Sequence, residues 1–180
     1  MVYRGYDRED GLWDIEAELT DIKPYTFRVP NERPFPAEEP IHHLSIRVTL
    51  DDQMLIHDIV TSMDSIPHAE CSGAPVNMQK FKGLRMGPGW RKLINEHLGG
   101  TAGCTHLREL LFNMATAAYQ TMWPWREHER RREGRPRAHP DVAPPHIGQC
   151  MTWAADSPVT QRVEPMFYRP RQPASETASS

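Results

Sequence analysis

Apolar and polar side chains alternate in three stretches of the first third of the chain. Over residues 11–20 the apolar positions alternate with acidic ones, which predicts a strand with one buried face. The same alternation returns over 44–49 and, after a polar break at 51–53, over 55–60. Two alternating runs joined by a short polar break are typical of a hairpin. The three stretches together predict an antiparallel meander of about three strands.

The apolar spacing changes to a helical period after this hairpin. Ser72 is a residue type that caps helices and Gly83 is one that ends them, so a short helix is predicted between the two. The Gly-Pro-Gly run at 87–89 opens a second predicted helix, and the glycines at 99–100 end it.

The third predicted helix is the longest. It starts near Cys104, and Pro124 is expected to end it, because proline lacks the backbone N–H that a helix interior needs. Its apolar positions recur at three- and four-residue steps, as in an amphipathic helix. They are Leu107, Leu110, Leu111, Met114, Ala118 and Met122.

These elements predict an α+β fold in which a small antiparallel sheet is packed by three helices. Residues 1–125 are expected to form this core domain. Residues 126–146, rich in arginine and proline, predict a solvated linker, with an anion-binding or partner surface as the alternative. Residues 147–169 hold enough apolar groups to pack back on the core. Residues 170–180, rich in Pro, Ser and Ala, predict a disordered tail.

Composition narrows the class of protein. The formal net charge of −3 gives no general basic field, so neither nucleic acid nor an anionic membrane is an expected partner. The charged N-terminus lacks the apolar region of a secretory signal, and no apolar run approaches a membrane span, which predicts a cytoplasmic protein. Three cysteines are too few for a disulfide framework and are expected as packed thiols, ligands or nucleophiles.

Two segments contain residue types that bind metals or take part in catalysis. One is 67–71, which ends in Glu70 and Cys71, and the other is 99–107, where glycines precede Cys104. A cysteine at a helix N-terminus is biased toward thiolate, the form that binds metal or attacks an electrophile. On an ideal helix Cys104 and His106 lie about 200° apart. His106 is therefore expected beside the site as an acid or base, and as a ligand only if the first turn is distorted.

Simpler interpretations apply to several of these residues. A single cysteine on an apolar helix face is usually a small packed side chain, and Cys150 is interpreted in that way. His57 and His97, on element faces, are expected to be structural. The sequence contains no Cys-x-x-Cys, Walker A, dinucleotide or Gly-x-Ser-x-Gly motif, so it matches none of the common zinc, nucleotide or serine-hydrolase signatures.

The run Gly-Cys-Thr-His-Leu at 103–107, with the strand pattern before it, resembles a bacterial domain-of-unknown-function family. That run before a helix is the family's hallmark, and the resemblance covers roughly residues 4–170. Members often read His-Asp where this chain has His42-His43.

The order of elements is also similar, more loosely, to the U-type iron–sulfur cluster scaffold. By position, the scaffold's ligand segments fall near His42-His43, on Cys71 and on Cys104. This chain has histidine in place of the scaffold's first cysteine, and Cys-x-His in place of its His-Cys pair. The resemblance implies a scaffold-like fold with a shared metal site, although fold alone does not transfer function.

The sequence therefore predicts a metal site formed by His42, Cys71 and Cys104, which suits zinc, with iron or an iron–sulfur cluster as the alternative. The first hypothesis is an enzyme that performs hydrolysis, decarboxylation or lyase chemistry on a small organic substrate, with Glu70 or His106 as acid or base. The second is a non-enzymatic metal or cluster carrier. The third is a cofactor-free enzyme with Cys104 as nucleophile and His106 as base. The sequence leaves the oligomeric state open.

Overall fold

Four antiparallel strands form one sheet in the order in which they occur along the chain. The computed structural model describes residues 1–137 and 139–171. The strands are β1 (Val2–Asp7), β2 (Trp13–Asp21), β3 (His42–Leu50) and β4 (Ile56–Ser65). The predicted α+β class and the antiparallel arrangement are confirmed, but the sheet has four strands rather than about three.

Alternation of side chains gives the sheet one buried and one outer face. In β2 and β3 every second residue is apolar and at most 6% exposed, because successive side chains of a strand point to opposite faces. The buried set comprises Trp13, Ile15, Ala17, Leu19, Leu44, Ile46, Val48 and Leu50. These side chains share one hydrophobic core with the helices of the same unit.

The strand that the sequence did not predict is β1. Its apolar Val2 and Tyr6 are exposed, and Gly5 contributes no side chain to the core. A Cβ atom on Gly5 would overlap the side chain of Thr121. At Gly5 the strand therefore approaches a helix closely through backbone, while Tyr3 packs against the core and its hydroxyl donates to the carbonyl of Leu110. A regular apolar alternation is missing from its sequence.

Helical elements follow the sheet. A long 3₁₀ segment covers Ala69–Phe81, α1 covers Trp90–Leu98, a 3₁₀ turn covers Gly100–Ala102, and α2 covers Thr105–Arg132. All six apolar positions predicted for the third helix are buried in α2.

The short helix predicted after Ser72 differs from the expectation. It begins earlier, at Ala69, and is 3₁₀ in type, so Ser72 is not its N-cap. The Ser72 hydroxyl instead donates to the carbonyl of Ala69, at 2.7 Å. Pro75 lies inside the segment, and proline disfavours a regular α-helix there.

The expectation that Pro124 ends the long helix is wrong. Helix α2 continues for two more turns, so residues 126–132 of the predicted linker are helical. Tertiary contacts hold this part: the Trp125 indole donates to Asp7 at 3.1 Å, and Arg126 donates to the carbonyl of Asp52 at 3.0 Å. These contacts offset the hydrogen bond that proline removes.

The chain divides into two compact units, Met1–Glu129 and a second unit that begins at Arg130. The second unit holds α3 (Pro158–Val163), whose N-cap Ser157 accepts from the backbone of Thr160. The expected packing of residues 147–169 on the core stays a prediction, and most of the predicted tail lies outside the described residues. No helix among the described residues has the length and apolar character to cross a membrane.

Candidate functional site

Two polar residues lie opposite each other at one end of the sheet. Asp21 is the last residue of β2, His42 is the first of β3, and the two are direct partners in the strand register. Both are two positions from buried core residues, so they lie on the helix side of the sheet. The Nδ1 atom of His42 is 3.2 Å from an oxygen of Asp21. This carboxylate fixes the orientation of a histidine ring that is only 17% exposed.

The Asp21 carboxyl group is held in its charged form. The ammonium of Lys23 donates to it at 2.6 Å, and this hydrogen bond lowers the pKa of Asp21, with a smaller contribution from His42. An ionised carboxylate accepts hydrogen bonds only. His42 therefore donates through Nδ1 and keeps Nε2 available as an acceptor or ligand.

Cys104 and His106 meet at the start of α2. Cys104 precedes the first helical residue, Thr105, and its carbonyl accepts the backbone N–H of Arg108 at 3.0 Å. The Sγ atom of Cys104 is 3.8 Å from the Nδ1 atom of His106. The expectation that the two side chains diverge is wrong, because the 100° step per residue applies only inside the helix and Cys104 lies just outside it.

The two histidines join these pairs into one cluster. The ring centroids of His42 and His106 are 4.1 Å apart. Burial lowers the pKa of His106, the neighbouring His42 lowers it further, and the Asp21 carboxylate opposes both effects. His106 is thus biased toward neutral imidazole, which accepts a proton or binds a metal. Cys104 itself is partly buried against the core.

Cys71 and Glu70 lie in the 3₁₀ segment, which begins shortly after β4 at the same end of the sheet. In the described part of the chain, neither side chain hydrogen bonds to His42, Cys104 or His106. The segment is tied to the loop before Cys104 by the Asn77 amide, which donates to the carbonyl of Ala102 at 2.5 Å. Of the described residues, no three His, Cys, Asp or Glu side chains are arranged to hold a metal ion.

Other histidines lie away from this cluster. His43 points to the outer face, 2.9 Å from Glu18, beside a depression of about 360 Å³ lined largely by polar side chains. His68 contacts Glu32 at 3.0 Å, and His57 contacts Asp51 at 3.1 Å. The ring of His97 packs edge-on against a core phenylalanine. These positions agree with the structural roles expected for His57 and His97.

The sequence did not single out Asp21 and Lys23. Their signal is the strand register: once β2 and β3 are paired antiparallel, the last residue of one strand lies opposite the first of the next. The pairing depends on how the loop between the strands closes, and the sequence pattern predicted only that a loop is present.

Comparison with known proteins gives one family. Residues 1–120 match the family described as Protein of unknown function (DUF2889). That range contains the whole sheet and every residue of the cluster. The match confirms the expected membership of a domain-of-unknown-function family over residues 1–120, whereas the Gly-Cys-Thr-His-Leu run as its hallmark and the extent to residue 170 stay predictions. No curated protein and no solved structure matches the chain, and the similarity to the iron–sulfur scaffold stays a prediction.

Proposed function

We propose that this chain, which belongs to the DUF2889 family, is an enzyme. In its active centre Cys104 is the nucleophile and His106 is the base. The substrate is a small organic acyl compound, and the reaction is hydrolysis. The observation that supports this function is the 3.8 Å separation of the Cys104 Sγ and His106 Nδ1 atoms. A thiol beside an imidazole that can take its proton is one of the pairs that nucleophilic catalysis uses.

Each group has a defined part in the reaction. The thiol proton of Cys104 moves to His106, and the thiolate forms a C–S bond with the acyl carbon. The bond to the leaving group breaks, and the leaving group takes the proton from His106. Water then attacks the thioester with His106 again as base, which releases the acid and restores the thiol.

His42 and Asp21 assist His106 in this reaction. His106 becomes cationic during the reaction, and the charged Asp21 favours that form, since it raises the pKa of His106. His42 lies between the two as a ring fixed by Asp21. This arrangement differs from a regular catalytic triad, in which the carboxylate bonds directly to the base.

A metal centre is the second candidate. In a tetrahedral zinc site the Zn–N and Zn–S bond lengths place nitrogen and sulfur ligands about 3.6 Å apart, close to the observed separation of His106 Nδ1 and Cys104 Sγ. Zinc, or iron, would be held by His42, Cys104 and His106, with Asp21 as the outer partner of His42. The three side chains would have to converge further than they do here. Cys71, which the sequence predicted as one of three ligands, would then be a fourth. The corresponding role is a metal-dependent enzyme acting on a small organic substrate, or a non-enzymatic metal or cluster carrier.

One experiment separates the two candidates. Metal content is measured on the wild type, Cys104→Ser and His106→Asn. The rate of Cys104 alkylation by iodoacetamide is measured on the wild type and His106→Asn. The matched control is Cys150→Ser, which removes an exposed thiol of the second unit. Two results together support the thiol enzyme. The wild type contains no metal and its Cys104 reacts faster than glutathione, and the His106→Asn substitution slows that reaction. Stoichiometric metal that is lost in Cys104→Ser, with a protected thiol, overturns it in favour of the metal centre.

A further inference from the structure

The two edges of the sheet differ in how their backbone groups are paired. Strands β1 and β4 form the edges, and an edge strand has one row of N–H and C=O groups that no strand of the sheet pairs. At the start of β4 this row is covered, because Ile56 donates to the carbonyl of Leu84 at 2.9 Å and accepts the N–H of Gly83 at 2.8 Å. The carbonyl of Ile59 accepts from the Gln79 amide at 2.8 Å. No such cover exists on β1 in the described part of the chain.

The hairpin that joins β1 to β2 determines which groups of β1 point to the open edge. Arg8 donates its N–H to the carbonyl of Leu12 at 3.0 Å, so Arg8 occupies a hydrogen-bonded position of the antiparallel ladder. Hydrogen-bonded and non-hydrogen-bonded positions alternate along such a strand. The even-numbered residues of β1 therefore bond to β2, and the odd-numbered residues direct their N–H and C=O groups outward. The outward residues are Tyr3, Gly5 and Asp7.

Strand β1 lacks the bulge and the proline that keep many edge strands from pairing. Its register with β2 is continuous from Val2 to Asp7, so the strand is not bent away from a neighbour. Its one cation, Arg4, already has a partner, since the guanidinium lies 3.1 Å from the carboxylate of Glu18. Val2 and Tyr6 are apolar and 47% and 45% exposed. An exposed edge of this kind is a template for a further strand.

The open edge of β1 is complementary to a second copy of itself. Pairing of two β1 strands has to use the outward residues of both, and only two antiparallel registers then pair most of the strand. In one register Arg4 lies opposite the partner's Arg4, and like charges directly opposite each other are destabilising. In the other, Gly5 lies opposite the partner's Gly5, and Arg4 lies opposite the partner's Tyr6. A guanidinium attracts an aromatic ring, and two-fold symmetry makes this pair twice.

We propose that a second copy of this chain pairs antiparallel with β1, with Gly5 opposite the partner's Gly5, so that one sheet continues through both copies. The outward backbone groups of β1 supply the hydrogen bonds, and the two pairs of Arg4 with the partner's Tyr6 select the register. Strand β1 contributes no residue to the cluster of Cys104 and His106. The dimer is therefore independent of the proposed enzyme activity.

Opposite charges at position 6 test the pairing. Sedimentation equilibrium of the full chain should show monomers and dimers, with a dissociation constant of roughly 10 µM to 1 mM for so small a contact. Tyr6→Glu puts a carboxylate opposite the partner's Arg4 and should lower the dissociation constant about tenfold. Tyr6→Lys puts a second cation there and should raise it about tenfold.

Effects on folding are separated from effects on pairing by their direction. Within one chain Tyr6 is the register partner of Asp14, so Tyr6→Lys should stabilise a single copy and Tyr6→Glu should destabilise it. A change in folding therefore cannot produce the expected order of dissociation constants. Val60→Glu and Val60→Lys are the matched controls, because Val60 is also 45% exposed but lies on β4, the other edge strand. Both should leave the dissociation constant unchanged.

Cross-linking between two different variants tests the register. Facing residues at a non-hydrogen-bonded position have Cα atoms about 4.5 Å apart, which is within the range of a disulfide. The Arg4→Cys and Tyr6→Cys variants are mixed and oxidised with copper phenanthroline in air, and the linked peptides are identified by mass spectrometry. The two introduced thiols should form a disulfide in the mixture, and Arg4→Cys alone should form little of a disulfide at position 4.

Three results would overturn the proposal. The first is a wild type that stays monomeric up to about 1 mM, and this measurement needs no variant to fold. The second is an equal dissociation constant for Tyr6→Glu and Tyr6→Lys. The third is an Arg4→Cys variant that cross-links with itself at position 4 as readily as with Tyr6→Cys, because that result would place the like charges opposite each other.

Discussion

The Sγ atom of Cys104 lies 3.8 Å from the Nδ1 atom of His106, although the residues are only two positions apart. Inside a helix that spacing turns side chains to nearly opposite sides. The contact exists because α2 begins between them, at Thr105. The relation of thiol and imidazole therefore depends on the loop that delivers Cys104 to the helix.

Substitution of Gly103 tests this dependence. A Cβ atom there would lie 2.9 Å from Cβ of Leu98 and 3.1 Å from its Cα, so Gly103→Ala must shift the backbone next to Cys104. We expect a loss of about 1–3 kcal/mol in the free energy of unfolding and a slower alkylation of Cys104. Gly73→Ala is the control, since a Cβ atom there meets nothing within 4 Å. Equal alkylation rates in both variants would contradict the prediction.

The pH dependence of stability should depend on His106. Burial lowers the pKa of His106 in the folded protein below its ordinary value of 6.5, so the unfolded chain binds more protons below that pH. The stability that this residue contributes is fully present above pH 6.5 and is lost as the pH falls toward the folded-state pKa. Urea unfolding between pH 5 and 8 should show a flatter profile for His106→Asn. His139→Asn, at an exposed position, should keep the wild-type slope.

Asp21→Asn should lower the pKa of His106 further. The Asp21 carboxylate raises that pKa against the effects of burial and of His42, and the amide keeps the shape of the side chain without its charge. NMR titration of the His106 ring measures the change directly. Glu18→Gln provides the control, because Glu18 contacts His43 on the outer face. A His106 pKa that stays the same or rises in Asp21→Asn would show that the carboxylate does not act on this ring.

Because β1 and α2 approach each other closely at Gly5 and Thr121, substitutions at these two positions should affect stability in a coupled way. Gly5→Ala should destabilise the domain by about 1–3 kcal/mol, because its methyl group overlaps the side chain of Thr121. Thr121→Ala should be much milder alone, and the double variant should recover part of the loss. Thermal unfolding of the wild type, the two single variants and the double variant gives the coupling free energy between the two positions. Strict additivity would mean that the two residues are not in contact.

Regular alternation made most of the fold predictable from the sequence. The buried positions of β2 and β3 and the apolar stripe of α2 follow periods of 2 and 3.6 residues, which burial on one face imposes. β1 was missed because Gly5 contacts the helix through backbone and leaves no apolar signal. The continuation of α2 past Pro124 depends on contacts from Trp125 to Asp7 at the end of β1 and from Arg126 to Asp52. These partners are distant in sequence, so the local sequence does not encode the contacts.

The site was predictable only in part. Residue type and a helix start indicated Cys104, and a strand start indicated His42. The contacts of the cluster with Asp21 and Lys23 depend on strand register, and the contact with His106 depends on where the helix begins. The metal site of His42, Cys71 and Cys104 stays a prediction, as does the acid–base role of Glu70.

Neighbouring histidines in β3 belong to opposite faces of the sheet. His42 contacts Asp21 and His106 on the helix side, whereas His43 contacts Glu18 on the outer side. Two histidines that are adjacent in sequence therefore lie on opposite faces of the sheet, and the residues around them are different. A single-residue deletion in the loop before β3 that shifted the strand by one position would exchange them, and it would also turn the core residues outward. The cluster and the core therefore both depend on the length of that loop.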